Sequence, residues 1–570
     1  MASLTEAPAD RTQRLTQIAI WVCFAGALAY GLVEVIRLSW VCDDAFISFR
    51  YAKNLINGLG LVFNAGERVE GYTNFLWTII IASGMLLKLD PVSLSIVLGA
   101  LSFFAVVGTF AFLSWRMFSG EATQRLFLPI TAFALLLHHE CHVFATSGLE
   151  TMWTTALVSL GFALLILGRS PRLLLTAGIV LIAAAASRPD AMIFYMVSIV
   201  YVMATSRPTL RSLGLYLLPL IVLYLPYWLI RYNYYGYPFT NTYYAKSAYL
   251  PYYSQGLIYL WLYLKSYYVL LLVPLTAGYL LIVQFKRKIR FPIDDDRSRA
   301  LVLSLLFCIP YLLYVVRSGG DFMFGRFFVP VTPILFFILE TGLRSAVRQT
   351  SSLVLTAFLL LVSVAFRWNL YTEQTQISFV ANEPAYYPAT WHRRAKDVGG
   401  RMREYFSGTH AAIAFRGTYV VYAYYTDVPV AIEAAGGLTD EYIAHQTITK
   451  RWRPGHEKTV SQEYLVSRKV NFIFKGGVSP ANYVDSLTWI SFGDFQTYIV
   501  TFDNSLMDRL KQYPEIRFTD VRPTLDTMIT QLPGSSPEHI RPWYEFFKSY
   551  YFDHNVDSAR QRPFLEALRQ

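Results

Sequence analysis

The chain reads as a polytopic α-helical membrane protein of about 11 to 13 transmembrane helices followed by a C-terminal soluble α/β domain. Three observations predict this. Hydrophobic residues make up 54% of the 570 and mean hydropathy is positive, too apolar for one soluble core and too long for a single anchor. Apolar runs recur with short polar breaks from the N-terminus to Phe366. After about Asn369 charged residues, Gly and Pro become frequent, and no run of about 18 apolar residues returns. The aromatic content of 16% fits Trp and Tyr at many membrane interfaces.

Taken in order, spans are expected near 18–38, 74–88, 93–115, 126–138, 149–168, 172–186, 191–205, 212–230, 256–284, 300–316, 327–343 and 352–366. Several fall short of the roughly 20 residues a full crossing needs. Arg11 and Arg14 precede the first run and no small-residue cleavage site closes it, so it reads as a retained helix rather than a signal peptide. The first ten or so residues are expected to be disordered. Positive clusters at Arg11/Arg14, Arg169/Arg172, Arg207/Arg211, Lys286 to Arg290 and Arg344/Arg348 belong on the cytoplasmic side. That rule puts the first loop (39–73), Ser187–Asp190, Arg231–Gln255, Arg317–Arg326 and the C-terminal tail outside. Between Trp77 and Arg125 the alternation breaks by one, hence the odd total.

The chain therefore divides into a membrane domain, 1–368, and an outer domain, 369–570. In the second, strand-like runs stand at Ala411–Phe415, Val428–Ile432, Asn471–Phe474 and Thr497–Phe502, mixed with helical stretches such as Thr439–Thr449. There are no internal repeats and no low-complexity segment. The net charge of +11 is accounted for by cytoplasmic loops, and no zinc-finger spacing or RNA-binding motif argues for nucleic acid. Cys23, Cys42, Cys141 and Cys308 are scattered without metal-ligand spacing. No essential disulfide is expected, with Cys42–Cys141 left open if both face outside.

The chemistry gathers in the first loop. Cys42 to Trp77 holds Asp43, Asp44, Arg50, Lys53, Glu67, Arg68 and Glu70 between two apolar runs. Adjacent carboxylates repel and shift each other's pKa unless a cation or substrate shares the site, so the stretch reads as an active-site loop at the water–lipid boundary. Polar clusters recur at the other outer loops, at 146–151, 187–190, 231–246 and 319–326. One Arg-Pro-Asp at a helix end is ordinarily a cap and stop. Five clusters on one side point instead to an anionic, lipid-attached substrate. Arg50, Arg188, Arg231, Lys246 and Arg326 are candidates for its phosphate. The acidic pair is a candidate general base, with one carboxylate orienting the other or holding a divalent metal (Mg, Mn or Ca). The tyrosines of 232–253 suit stacking on a sugar or an interfacial aromatic belt. His138, His139, Glu140, Cys141 and His142 lack the His-Glu-x-x-His pattern of a zinc hydrolase. Gly58-Leu59-Gly60 is a loop turn, not a nucleotide motif.

At these residues the sequence resembles a known family. The run D-D-A-F-I-S-F-R-Y-A (43–52) with G-L-G-L-V-F-N-A-G-E-R-V-E-G-Y-T-N-F-L-W (58–77) is similar to the first outer loop of the GT-C membrane glycosyltransferases. Within these it is nearest the mycobacterial terminal β-arabinofuranosyltransferase and bacterial pilin arabinosyltransferase group. T-S-G-L-E-T (146–151), S-R-P-D (187–190), Y-Y-G-Y-P-F-T-N-T-Y-Y-A-K (234–246), G-G-D-F-M-F-G-R-F (319–327), G-G-L-T-D (436–440) and G-H-E-K (455–458) follow in the same order. The resemblance implies transfer of D-arabinofuranose from a polyprenyl-phosphate donor to an envelope glycan or glycoconjugate, outside a bacterial plasma membrane. It implies Asp43 or Asp44 as the catalytic carboxylate. Substrate contacts fall to Arg50, Glu70, Tyr72, Asn74, Glu150, Arg188, Asp190, Asn241, Tyr244, Lys246, Asp321 and Arg326. Glu433, where the group tends to carry Asp, and Phe239, where Leu is usual, depart from the pattern and touch substrate assignment more than reaction class.

Other classes are weighed against this. A pilin-like protein acceptor keeps the reaction and changes the target. A flippase for a lipid-linked sugar calls for charges at mid-membrane and internal repeats, and neither is evident. A membrane-anchored binding protein gives no reason for an acidic pair in the first loop.

Overall fold

The structure is a computed structural model that describes residues 8–118, 126–168, 170–205, 210–286, 295–474 and 485–569. Arg125, Arg169, Arg207, Arg287, Lys288 and Arg290 of the expected positive loops lie outside the described residues, as do residues 1–7. Packing divides the chain into two compact units. Unit 1 comprises Met1–Ala45, Thr73–Pro238 and Ala248–Tyr387; unit 2 comprises Phe46–Tyr72, Phe239–Ser247 and Pro388–Gln570. The division thus differs from the expected single boundary after residue 368: two short segments of the first half fold with the C-terminal part.

Unit 1 is helical. Among the described residues, five of its helices are long and apolar enough to cross a membrane: Gln13–Arg37, Pro91–Phe118, Arg211–Tyr235, Tyr268–Lys286 and Asp296–Ser318. Five shorter apolar helices accompany them: Phe75–Leu86, Thr151–Leu167, Pro171–Ser187, Pro189–Thr205 and Thr350–Ala365. Large apolar side chains stand exposed on these helices, among them Ile36, Leu101, Ile230, Leu275, Leu313 and Phe358, a surface that suits lipid rather than water. The chain is a multi-pass membrane protein.

Three expected spans are built differently. The 126–138 run holds only an eight-residue helix, Ile130–Leu137, followed by His139–Ala145. The 256–284 run is two helices, Tyr253–Ser266 and Leu272–Lys286, broken at Tyr267, whose φ of −112° and ψ of 63° leave the helical region. The 212–230 run extends to Leu210–Tyr235 and loosens into a π turn at Leu220–Tyr224, directly after Pro219, which has no N–H to bond.

Charge is buried within this helical packing. Glu340, fully buried in the Thr332–Ala346 helix, accepts from Ser114 Oγ (2.5 Å), Thr131 N (2.9 Å), Thr131 Oγ1 (2.7 Å) and Arg344 Nε (3.2 Å). Arg344 also donates to the Leu128 carbonyl and lies over the Phe118 ring. Arg299 donates to the carbonyls of Leu165 (3.0 Å) and Gly168 (3.1 Å) at the C-terminal end of the Thr151–Leu167 helix, where a cation complements the helix dipole.

The short strands β1 (Gln376–Ile377) and β2 (Val380–Ala381) pair antiparallel at the end of unit 1. Unit 2 carries a six-stranded mixed sheet. Its strands are β3 (Ala412–Phe415), β4 (Val430–Glu433), β5 (Phe472–Phe474), β6 (Trp489–Phe492), β7 (Phe495–Ile499) and β8 (Ile516–Phe518), in the order β4-β3-β5-β7-β6-β8. β3 pairs parallel with β4 and β5; the remaining pairs are antiparallel. Ala414, Ile432, Ile443, Leu465, Val470 and Ile473 form a buried core against it. The expected runs at Ala411–Phe415, Val428–Ile432 and Asn471–Phe474 fall on β3, β4 and β5, and Thr497–Phe502 overlaps β7 only up to Ile499. The expected helix at Thr439–Thr449 is reduced to Glu441–Ala444, capped by Asp440 accepting from Ile443 N. The first outer stretch is not all loop: Ala45–Ile56 is helical.

Candidate active site

Two glycine-bearing turns and two helix ends gather the polar groups of unit 1. In T-S-G-L-E-T, Gly148 takes φ +77°, and an added Cβ would stand 3.0 Å from both Ala45 Cβ and Val41 Cγ1, so the turn that delivers Glu150 needs glycine on two counts. In G-G-D-F, Gly320 has φ +73° and packs against the Tyr259 ring, turning the chain to present Asp321. Arg188, extended before Pro189, ends the Pro171–Ser187 helix; Asn74 precedes the Phe75–Leu86 helix.

These turns close a buried network. Arg188 holds Asp190 bidentately, Nε to Oδ1 at 3.0 Å and Nη2 to Oδ2 at 2.9 Å. Its Nη1 reaches Glu150 Oε1 at 3.3 Å. Arg326 Nη2 donates to the same Glu150 oxygen at 3.3 Å, and Arg326 Nη1 reaches Asp321 Oδ2 at 3.4 Å. Asn74 Nδ2 donates to Glu150 Oε2 (2.8 Å), and the Tyr311 hydroxyl donates to Asp190 Oδ2 (3.0 Å). Glu150 is therefore shared by both guanidiniums. Burial alone would raise its pKa, but Arg326 and Arg188 outweigh that and hold it below the ordinary range. Burial works against the charge on Arg326; Asp321 and Glu150, with a smaller contribution from Asp44, keep its pKa above the usual value.

Asp43 and Asp44 form the turn immediately before the Ala45–Ile56 helix, Asp43 buried and Asp44 half-buried. Carboxylates are favoured at a helix N-terminus. The turn is pinned by the Cys42 amide donating to the Ser147 carbonyl (2.8 Å), which ties it to the loop that carries Glu150. Among the described residues no group of three or more His, Cys, Asp or Glu is arranged to hold a metal ion. The four cysteines are free thiols. His138, His139 and His142 are engaged in packing. His138 stacks on Tyr267 and meets the Tyr263 hydroxyl, His139 pairs with Glu140, and His142 Nε2 meets the Leu136 carbonyl.

Arg231, in unit 1, donates to the Pro238 carbonyl (3.0 Å), and unit 2 holds the remaining expected residues. Arg50 does not serve as a free phosphate ligand. Its guanidinium, on the inward face of the Ala45–Ile56 helix, donates to the carbonyls of Phe63 (2.8 Å), Val428 (2.8 Å) and Ala423 and to Asn64 Oδ1 (3.3 Å). Burial lowers its pKa to about 10. Asn241 Nδ2 donates to the carbonyls of Gly437, Leu438 and Asp440, which ties its segment to G-G-L-T-D rather than to a ligand. Glu70 accepts the Asn241 amide through its carbonyl, and Tyr72 packs against Tyr51. Tyr244 stacks on His445. Lys246 is half-buried, and among the described residues its ammonium has no hydrogen-bond or ion-pair partner. The structure therefore gathers Asn74, Glu150, Arg188, Asp190, Asp321 and Arg326, leaves Lys246 available, and assigns Arg50 and Asn241 to the fold. Tyr311 was not legible as a partner of Asp190; the only signal is that a Tyr in an apolar helix needs a partner for its hydroxyl.

Unit 1 thus has the architecture of a multi-pass helical protein with a charge-dense polar end. No protein-family model matches the chain. It is similar to a terminal β-(1→2)-arabinofuranosyltransferase of Mycobacterium tuberculosis, 28% identical over 366 residues that cover 58% of this chain and 56% of that protein. A terminal β-(1→2)-arabinofuranosyltransferase of Corynebacterium glutamicum is 28% identical over 324 residues, 50% of this chain and 46% of that protein. The chain spans about half the length of these curated relatives. Among solved structures, ArnT from Cupriavidus metallidurans bound to undecaprenyl phosphate superposes with a TM-score of 0.44 at 15% identity, over 72% of this chain and 85% of that one. The apo ArnT structure gives 0.43 at 14%, over 73% and 86%.

Proposed function

We propose that this chain is a GT-C glycosyltransferase that moves D-arabinofuranose from a polyprenyl-phosphate donor to a hydroxyl of a cell-envelope glycan or glycoconjugate. Its active site would open on the outer face of a bacterial plasma membrane. The observation that carries this reading is the Asp43–Asp44 turn, pinned by the Cys42 amide to the loop whose Glu150 is shared by Arg188 and Arg326. The similarity to two arabinofuranosyltransferases supports the choice of sugar.

In this mechanism one carboxylate of the pair takes the proton as the acceptor O–H bond breaks. The acceptor oxygen bonds to C1 of the sugar, and the C1–O bond to phosphate breaks with its electron pair leaving on the polyprenyl phosphate. A leaving group that is already anionic needs cations rather than a strong general acid. Arg188 and Arg326 present their forks to one shared carboxylate oxygen, which a phosphate oxygen can replace.

The test is transfer from a synthetic polyprenyl-phosphate arabinofuranose in detergent, comparing wild type with Asp43→Asn and Asp44→Asn. One variant is expected to lose about 100-fold or more in rate while melting like wild type. Equal turnover by wild type and both variants rejects the acid pair. A wild type inactive with this donor and with other polyprenyl-phosphate sugars rejects the reaction class.

A further inference from the structure

The Tyr253–Ser266 helix of unit 1 has two unlike faces. Gly256, Tyr259 and Tyr263 are buried on one. On the other, Tyr253, Leu257, Trp261 and Lys265, each four residues from the last, stand exposed in a single stripe. Leu257 and Trp261 are each 57% exposed, more than water alone readily accepts of neighbouring large apolar side chains.

Both ends of this helix are fastened to the same end of the helical packing. At its start the Tyr252 amide donates to the Arg317 carbonyl (2.8 Å), and Gly256 lies against the Val316 backbone with no room for a Cβ. Val316 and Arg317 belong to the last turn of the spanning Asp296–Ser318 helix. At its finish the Ser266 carbonyl accepts from the Trp368 amide (3.0 Å), and the Ser266 hydroxyl donates to the Trp368 carbonyl (2.8 Å), just past the apolar Thr350–Ala365 helix. The chain leaving those two helices converges. Arg367 pairs with Glu140, Glu140 packs on Gly325, and the Phe324 amide donates to the Ala381 carbonyl (2.9 Å). A helix of 14 residues, about 21 Å long, whose ends meet two helix ends on one side runs along the bilayer surface rather than through it.

The stripe carries a cation at each end. Lys265 Nζ lies 5.7 Å from the centre of the exposed Trp368 ring. Exposed Arg317 reaches only the carbonyls of Ala248 (3.5 Å) and Tyr249 (3.4 Å). Among the described residues neither forms an ion pair with a carboxylate. Water would suit the two cations but not Leu257 and Trp261. A surface without net charge would suit the rings and leave the cations without a counter-charge. An anionic lipid answers both, because its acyl boundary takes the apolar side chains while the lysine stem reaches up to its phosphate. We propose that the Tyr253–Ser266 helix is an interfacial helix that docks on anionic phospholipid of the surrounding bilayer, with Lys265, held over Trp368, on the headgroup phosphate. This surface stands apart from the Glu150 cluster and does not depend on the transferase reading.

The test reads Trp261, four residues from Lys265, as the difference in tryptophan fluorescence between wild type and Trp261→Phe. The full chain is placed in mixed vesicles of phosphatidylglycerol and phosphatidylcholine in which one lipid or the other carries bromine on its acyl chains. Brominated phosphatidylglycerol is expected to quench Trp261 in preference to brominated phosphatidylcholine, and acrylamide in the water to spare it. Lys265→Gln should lower that preference about fivefold and Lys265→Arg should keep it. Lys265 is exposed, so both variants should melt like wild type. Quenching by acrylamide and not by lipid overturns the interfacial placement. Equal quenching by the two lipids in wild type, or an unchanged preference in Lys265→Gln, overturns the anionic-lipid site. Added polyprenyl phosphate that relieves the quenching in wild type but not in Lys265→Gln makes the surface a donor-lipid site and likewise overturns the proposal.

Discussion

The Pro91–Phe118 helix has a buried charged cluster near each end. Ser95 lies beside the Gly148 turn that delivers Glu150, and Ser114 donates to Glu340. At about 1.5 Å per residue the two serines are roughly 28 Å apart. The clusters are built differently. At the Glu340 end, among the described residues, one carboxylate meets one guanidinium, with two hydroxyls, a backbone amide and a carbonyl around them. At the Glu150 end three carboxylates (Glu150, Asp190, Asp321) face two guanidiniums, with the Asp43–Asp44 turn pinned alongside. A balanced pair closed by backbone groups serves packing. An unbalanced cluster, with one carboxylate divided between two cations, has partners to exchange. Burial is equally deep at both ends, so depth does not distinguish the two clusters; charge balance does.

The largest contrast is expected from neutralising the central carboxylate of each cluster. Glu340→Gln should cost about 3–5 kcal/mol of stability, because it removes the counter-charge of buried Arg344; Glu150→Gln should cost about 1–3 kcal/mol, because Asp190 and Asp321 still pair Arg188 and Arg326. Only Glu150→Gln should also reduce sugar transfer per folded molecule, by about 100-fold. Thermal unfolding with turnover normalised to folded protein checks both. A matching loss of turnover in Glu340→Gln would break the comparison.

A smaller effect is expected from pH. The folded-state pKa of Glu150 lies below its ordinary value of 4.5. Its contribution is therefore complete above the unfolded carboxyl pKa and is lost as pH falls through the folded one. Melting temperature should drop below pH 4.5 in wild type, and the drop should be shallower in Glu150→Gln. Parallel curves would remove Glu150 from the ionised network.

The smallest effect is expected at single neutral partners. Tyr311→Phe removes one hydrogen bond to Asp190, worth about 0.5–1.5 kcal/mol, and should leave turnover within about twofold, since Arg188 still holds that carboxylate bidentately. A larger loss of turnover would bring Tyr311 into the working cluster.

Much of the architecture was legible in the order of residues. Apolar runs located the helices of unit 1 because lipid leaves backbone polar groups no partner outside their own helix. Short β-branched and aromatic runs located β3, β4, β5 and β7, while β6 and β8, at four and three residues, were too brief for a period to register. The helix breaks at Tyr267 and after Pro219 were missed, because an apolar run looks the same whether or not it is interrupted.

The sequence by itself determined that charge collects at a few polar breaks in an apolar chain, since each motif is local and its residue types name its chemistry. Only the tertiary structure decided which charges remain available. Arg50, Arg188 and Lys246 look alike in the sequence, yet Arg50 is engaged by carbonyls of the fold, Arg188 by two carboxylates, and Lys246 by no described partner. The reason is physical. Whether a buried cation can receive a ligand depends on the acceptors already around it, and those acceptors are backbone and side-chain oxygens brought from distant parts of the chain.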